Sequence, residues 1–137
     1  MPFKEDNKEL FAYIAGLIDG EGCIYICKEK KNGRVIRYRV RLQITNTNKL
    51  LIDFLKNSIG FGYVTSGIKI RDGWKTRYDW IVMNGQARDV LNKCIPYLVI
   101  KKQQAELAFQ FLDGDICGED ARGLMHKLNF KGTLYAI

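Results

Sequence analysis

Asp19-Gly20-Glu21-Gly22 places two carboxylates at the end of the first apolar-periodic stretch of the chain. That stretch, Asn7 to Asp19, reads as a helix: Leu10, Phe11, Ile14, Leu17 and Ile18 repeat at helical spacing. Asn7 suits its N-cap, and Gly20 and Gly22 stop it. The C-terminal end of a helix carries negative partial charge, so an acid there opposes the local field. A bound cation would offset that opposition. Ala12, Gly16 and Gly20 recur every fourth residue and line one face of the same helix. Glycine inside a helix costs roughly 1 kcal/mol relative to alanine. A face of this kind suits close approach by another backbone, from a helix of the same chain or from a second copy. In the second case two Glu21 carboxylates would meet at the helix ends, forming a divalent-metal site shared by two subunits.

The elements that position these acids can be read on either side. Cys23-Ile24-Tyr25-Ile26-Cys27 is rich in strand formers. Lys31-Asn32-Gly33 marks a hairpin, because Asn-Gly accepts the positive φ angles of a tight turn. In the following strand Ile36, Tyr38, Val40, Leu42 and Ile44 alternate with Arg37, Arg39, Arg41, Gln43 and Thr45. Alternate strand residues point to opposite faces, so one face is apolar and the other is a row of arginines ending in glutamine and threonine. Tyr25, Cys27 and Glu29 share the polar face by the same alternation.

A second helix covers about 49–58, capped by Asn48 or Thr47, with Leu50, Leu51, Phe54 and Leu55 as its buried face. Ile59-Gly60-Phe61-Gly62 breaks it. A second strand pair runs over about 63–71 and 74–82, joined at Asp72-Gly73. Here Tyr63, Thr65, Lys69 and Arg71 oppose Val64, Ile68 and Ile70, while Lys75, Arg77 and Asp79 oppose Trp74, Tyr78, Trp80 and Val82. Helices follow over about 85–94 and 101–112. From Asp113 onward, four glycines and weak periodicity define no element.

The fold class is therefore α+β: an αββαββα core with a four-stranded antiparallel sheet backed by helices. One domain is expected over 1–137, with its core at about 8–112 and a C-terminal extension over 113–137. Net charge is +7, and its placement says more than its size. Seven Lys or Arg accompany one acid, Glu29, from Lys28 to Arg41, whereas basic and acidic residues balance at five each from Lys101 onward. Like charges on neighbouring strands repel, which favours a polyanionic partner over a merely solvated face. No apolar run is long enough to span a bilayer, and the N-terminus shows no targeting pattern, so an intracellular protein without a membrane partner is expected. The four cysteines form no CxxC pair and His126 is the only histidine, which argues against structural zinc.

Ile14-Ala15-Gly16-Leu17-Ile18-Asp19-Gly20-Glu21-Gly22 closely resembles the motif that names the LAGLIDADG homing endonucleases. It departs only in Ile for Leu at the first position, Gly for Ala at the seventh and Glu for Asp at the eighth. Ile59-Gly60-Phe61-Gly62-Tyr63-Val64 and Pro96-Tyr97-Leu98, with Lys101-Lys102-Gln103 beyond, also look like the family's. The resemblance covers roughly residues 8 to 112. One motif is present; Leu112-Asp113-Gly114-Asp115 resembles a fragment of a second, with too little chain after it to build another sheet.

Single-motif members act as homodimers paired through the motif helices, which implies a dimer interface at Ala12, Gly16, Asp19 and Gly20. The resemblance implies Glu21 as metal-binding acid, the Gly20 carbonyl as a further ligand, Asn46 as positioning water and Lys101 beside the scissile phosphate, with Lys102 as its neighbouring alternative. It implies Mg²⁺ as cofactor, Mn²⁺ as substitute and Ca²⁺ as binding without supporting cleavage. The activity implied is cleavage of double-stranded DNA at a long palindromic or near-palindromic site, leaving short 3′ overhangs. An intron RNA maturase or a non-cleaving DNA-binding protein of the same fold is the alternative. Organellar, bacterial or archaeal origin is implied as well. DNA reading falls to the basic sheet face, with Arg37, Arg39, Arg41 and Gln43 suited to base edges. Lys30, Lys31, Lys102 and Lys127 suit phosphates or plain solvation.

Overall fold

Asn7 opens helix α1 (Lys8–Glu21) by accepting a hydrogen bond from the Leu10 amide at 3.3 Å. The structure, a computed structural model, describes residues 7–67 and 75–131. The helix runs two residues past its expected end at Asp19, through Gly20, so Glu21 is its last helical residue. Gly22 then turns the chain straight into strand β1 (Gly22–Lys31) with no linker. A Cβ at Gly22 would stand 2.8 Å from Ile18 Cα and 2.9 Å from Ile18 O, backbone atoms that cannot move aside. Glycine is therefore the residue that fits this corner, and the corner fixes where Glu21 projects.

Strand β1 pairs antiparallel with β2 (Arg34–Asn46) through Asn32 and Gly33, whose φ angles of 53° and 78° are those of the expected tight turn. Helix α2 (Lys49–Ile59) is capped by the Asn48 side chain and closed by Gly60 in the left-handed conformation, φ 91°. Strands β3 (Tyr63–Ser66) and β4 (Tyr78–Met83) pair with each other, and β4 also lies against β2, giving the order β1-β2-β4-β3. Helix α3 (Asn84–Cys94), a 3₁₀ turn over Ile95–Tyr97 and helix α4 (Lys102–Leu112) follow. The expected hairpin joint at Asp72-Gly73 and the candidate residues Lys69 and Arg71 lie outside the described residues.

The helices cover one face of the sheet. Ile24, Ile26, Val40, Leu42, Ile44, Trp80 and Val82 meet Phe11, Ile14, Ala15 and Ile18 of α1, with Ile52, Leu55 and Ile59 of α2 and Ala87, Val90 and Leu91 of α3 in the same cluster. Burying aliphatic side chains this fully stabilises by roughly 1.5–3 kcal/mol each relative to exposure.

Two expectations fail here. Helix α2 buries Ile52, Leu55 and Ile59, not the face containing Leu50 and Phe54; Leu50 is 77% exposed. Both faces are apolar, so periodicity alone could not choose between them. The tail beyond Asp113 is not featureless, since Gly118–Lys131 forms helix α5 against β1 and α4. Ala121 and Met125 of α5 join the core, and Gly118 lies directly on the Tyr38 ring. Among the described residues, no helix is long and apolar enough to cross a membrane.

Candidate active site and nucleic-acid interface

The C-terminal end of α1 gathers residues from three distant parts of the chain. Glu21 is exposed, and its Oε2 accepts a hydrogen bond from Asn46 Nδ2 at 2.8 Å. Asn46 is the last residue of β2, and its Oδ1 accepts from the Asn48 amide at 2.7 Å. That second bond sets the orientation of the Asn46 amide, so its NH₂ must face Glu21. Lys101 extends its Nζ to the Asp19 carbonyl at 2.8 Å. An ammonium at a helix C-terminus is electrostatically favoured. The structure thus brings together Glu21, Asn46 and Lys101. Lys102 is exposed and begins α4.

Asp19 corrects the simplest reading of the acidic pair. Its Oδ2 accepts from the Val99 amide at 2.8 Å, and its Oδ1 accepts from the amides of Ile100 and Lys101 at 3.1 and 3.0 Å. Three backbone N–H groups therefore offset this acid, and no cation is required for it. These bonds also fix the loop that carries Lys101. Glu21 is left as the outward-facing acid of the pair, with one hydrogen bond among the described residues.

Ala12, Gly16 and Gly20 are all exposed, and a Cβ built on Gly16 or Gly20 would meet nothing within 4 Å. Packing against a helix of the same chain does not explain this face among the described residues. Beside it Tyr13, Leu50 and Phe54 are exposed as well, with the Tyr13 and Phe54 rings edge to face at 5.8 Å.

The sheet face away from the helices carries the expected polar row. Register places Glu29, Cys27, Tyr25 and Cys23 of β1 opposite Arg37, Arg39, Arg41 and Gln43 of β2. Thr45 pairs with Asp79, and Asp79 in turn with Thr65; Gln43 pairs with Ile81, and Ile81 with Tyr63. Lys75 and Arg77 are exposed just before β4. The arginines are less naked than like-charge repulsion suggested. Glu29 accepts from Arg37 at 2.6 and 3.1 Å and lies 3.7 Å from Arg39. Its carboxyl is held below the usual range, chiefly by the Arg37 hydrogen bond. Arg41 lies over the Tyr25 ring at 5.6 Å.

Asp79 was expected among the DNA-facing side chains and is instead only 4% exposed. Its Oδ1 accepts from Thr45 Oγ1 at 2.5 Å and Gln43 Nε2 at 3.0 Å, and its Oδ2 accepts from Thr65 Oγ1 at 3.1 Å. Arg77 Nε is 3.6 Å away. Alternation gave the correct face for Asp79, but burial depends on neighbours from two other strands.

Helix α5 adds residues that the sequence did not single out. Arg122, His126 and Asn129 line a cleft with Cys23 and Tyr25 along the β1 edge. Asn129 Nδ2 donates to the Ile24 carbonyl at 3.0 Å, occupying a backbone acceptor of this edge strand. Burial pushes the Cys27 thiol up, opposed by the charges of Arg41, Arg39 and Arg122. The Cys23 thiol is also raised by burial, with the Lys101 charge opposing. The i, i+4, i+7 spacing of Arg122, His126 and Asn129 was the available signal, lost in a glycine-containing stretch of balanced charge.

Comparison with known proteins fits this geometry. DNA endonuclease I-CvuI of Chlorella vulgaris is 29% identical over 107 residues, covering 74% of this chain and 63% of that protein. DNA endonuclease I-CreI of Chlamydomonas reinhardtii is 25% identical over 111 residues, covering 78% and 64%. The aligned part thus spans a little under two thirds of either relative. The crystal structure of I-CvuI with its target in the presence of Ca superposes with a TM-score of 0.65 at 25% identity, covering 77% of this chain and 67% of that one. The archaeal intron-encoded homing endonuclease I-Vdi141I, complexed with DNA, shares the fold at a TM-score of 0.64 and 22% identity, covering 93% and 84%. The family pattern described as LAGLIDADG endonuclease matches residues 14–110, a stretch that holds the Glu21 corner and the described strands of the basic sheet, and the chain belongs to that family.

Proposed function

We propose that this chain is a site-specific double-strand DNA endonuclease that works as a homodimer and hydrolyses phosphodiesters with a divalent cation. One observation carries the reading: the outward-facing Glu21 carboxylate stands where α1 ends, hydrogen-bonded to Asn46 and beside the Lys101 loop, next to an uncovered small-residue face. A second copy packed on Ala12, Gly16 and Gly20 would bring two such carboxylates together, and a twofold pair contacts itself through the same patch. Tyr13, Leu50 and Phe54 would lose their exposure in the same contact. Asp19 would serve it indirectly, by holding the helix end.

The donor set suits a hard cation. A carboxylate and the Gly20 carbonyl supply oxygen, and a second copy would add the same pair. Glu21 and Gly20 from each copy would hold Mg²⁺, with Mn²⁺ able to replace it and Ca²⁺ binding without turnover. Such a cation lowers the pKa of a bound water and stabilises a leaving oxygen. Asn46 would orient water through its fixed NH₂ group. Lys101 would oppose negative charge developing on the phosphate, from a position set by Asp19. Each copy would cut one strand and leave short 3′ overhangs.

The basic sheet face would lie in the major groove, which admits a two-stranded ribbon. Arg37, Arg39 and Arg41 would reach base edges or phosphates, with Tyr25, Cys27, Thr45, Tyr63, Thr65, Lys75 and Arg77 around them. Lys69 and Arg71 belong to the same reading by sequence alternation. The test is a randomised duplex library incubated with the protein in Mg²⁺ and, separately, in Ca²⁺. Sequencing of the released ends should recover one long site of approximate twofold symmetry, cut in Mg²⁺ only. Unselective ends would overturn the endonuclease reading, and a selected site without symmetry would overturn the dimer.

A further inference from the structure

Gln43 is the hub of the basic face, and every hydrogen-bonding position of its amide is occupied. Its Nε2 donates to Asp79 Oδ1 at 3.0 Å and to Thr45 Oγ1 at 3.1 Å. Its Oε1 accepts from the Tyr25 hydroxyl at 2.9 Å and from Arg41 Nε at 3.1 Å. A side-chain amide has two donor hydrogens and two acceptor lone pairs, so nothing remains for a base edge. The expectation that Gln43 meets a base edge therefore does not match this arrangement.

The direction of the amide is not free either. A carboxylate without a proton can only accept, so the buried Asp79 requires the NH₂ end of Gln43. Thr45 and Thr65 hold Asp79 from either side. With the NH₂ turned inward, the Gln43 oxygen must face Tyr25 and Arg41. That oxygen takes one of the five N–H donors of the Arg41 guanidinium, the one on Nε. The Tyr25 ring lies beneath the guanidinium, and the Cys27 thiol lies beside it. The terminal nitrogens are the fork that pairs with guanine O6 and N7.

We infer that Arg41 reads a guanine and that Asp79, acting through Gln43, is the positioning residue that gives it this preference. This rests on the proposal that the sheet face binds DNA. Without Asp79 the Gln43 amide can turn over, present its NH₂ group to Arg41 and repel the guanidinium from its present place. Base choice would then be lost without loss of the phosphate contacts that hold DNA in general.

The experiment measures binding in Ca²⁺ to duplexes carrying the recovered site and every single-base-pair substitution of it. The wild-type chain should prefer guanine by about tenfold or more at one symmetric pair of positions. Arg41→Ala should abolish that preference. Asp79→Asn, nearly the same shape, should reduce it to threefold or less at the same pair and leave other positions alone. The double variant should be no worse there than Arg41→Ala. Gln43→Ala should reproduce Asp79→Asn, and it serves if Asp79→Asn fails to fold by circular dichroism. Retention of the guanine preference in Asp79→Asn and Gln43→Ala, with loss only in Arg41→Ala, would overturn the positioning role. A uniform fall in affinity at every position would overturn it too. If Arg41→Ala shifts no position at all, Arg41 is not the reader and the inference falls with it. Whether DNA binding itself survives in that variant then shows if the sheet-face reading falls as well.

Discussion

Glu21, at the end of α1, and Asp79, on β4 between β2 and β3, are both acids, yet they are held in opposite ways. Glu21 is exposed and has one hydrogen bond among the described residues. Asp79 is buried and accepts three. An unsatisfied charge left in the interior is costly, so a buried acid must be surrounded by donors, and those donors are thereby fixed. An exposed acid with open lone pairs keeps the capacity to take a new partner. The contrast separates an acid that shapes a surface from one that can meet a cation. Asp19, two residues from Glu21, belongs with Asp79, because its oxygens are taken by three loop amides.

Lys101→Ala should cut the rate of DNA cleavage by about 100- to 1000-fold, the usual loss when one stabilising donor is removed. Binding of the same duplex in Ca²⁺ should change far less. Equal loss of both would place Lys101 in general DNA contact instead. Asp19→Asn leaves a single acceptor oxygen and turns an NH₂ toward a backbone N–H. The 99–101 loop should loosen, lowering cleavage by roughly 10- to 100-fold through misplaced Lys101. Single-turnover rates check this, and an unchanged rate would mean the loop amides do not position the lysine.

The smallest effect belongs to the sheet. Glu29→Gln frees Arg37 and Arg39 from their acid. Binding to non-target duplex should tighten by about threefold, and the dependence on salt should steepen by roughly one phosphate's worth of counterion. No change in the salt slope would show that these arginines are occupied elsewhere when DNA is bound.

Much of the fold was written in local pattern. Alternation through Ile36–Thr45 gave both faces of β2, and Asn32-Gly33 gave the hairpin, because both depend only on neighbouring residues. The motif residues marked the corner. Helix α5 escaped, since its buried positions Ala121 and Met125 are interrupted by Gly123 and by Leu124 and Phe130, which stay exposed. The choice of face on α2 escaped because two apolar stripes compete. The Asp19 bonds escaped for a different reason: backbone amides carry no signature in a sequence. The saturation of Gln43 requires three strands in register, and only a three-dimensional structure supplies that.

The role of Glu21 as the metal-binding acid is tested on the DNA site recovered from the library, with Glu21→Gln compared against the wild-type chain. The substitution keeps the side chain's length and its access to Asn46 while removing the charge. Mg²⁺-dependent cleavage should fall to background while binding in Ca²⁺ stays within a few-fold of wild type. Cleavage at the wild-type rate by Glu21→Gln would contradict that role.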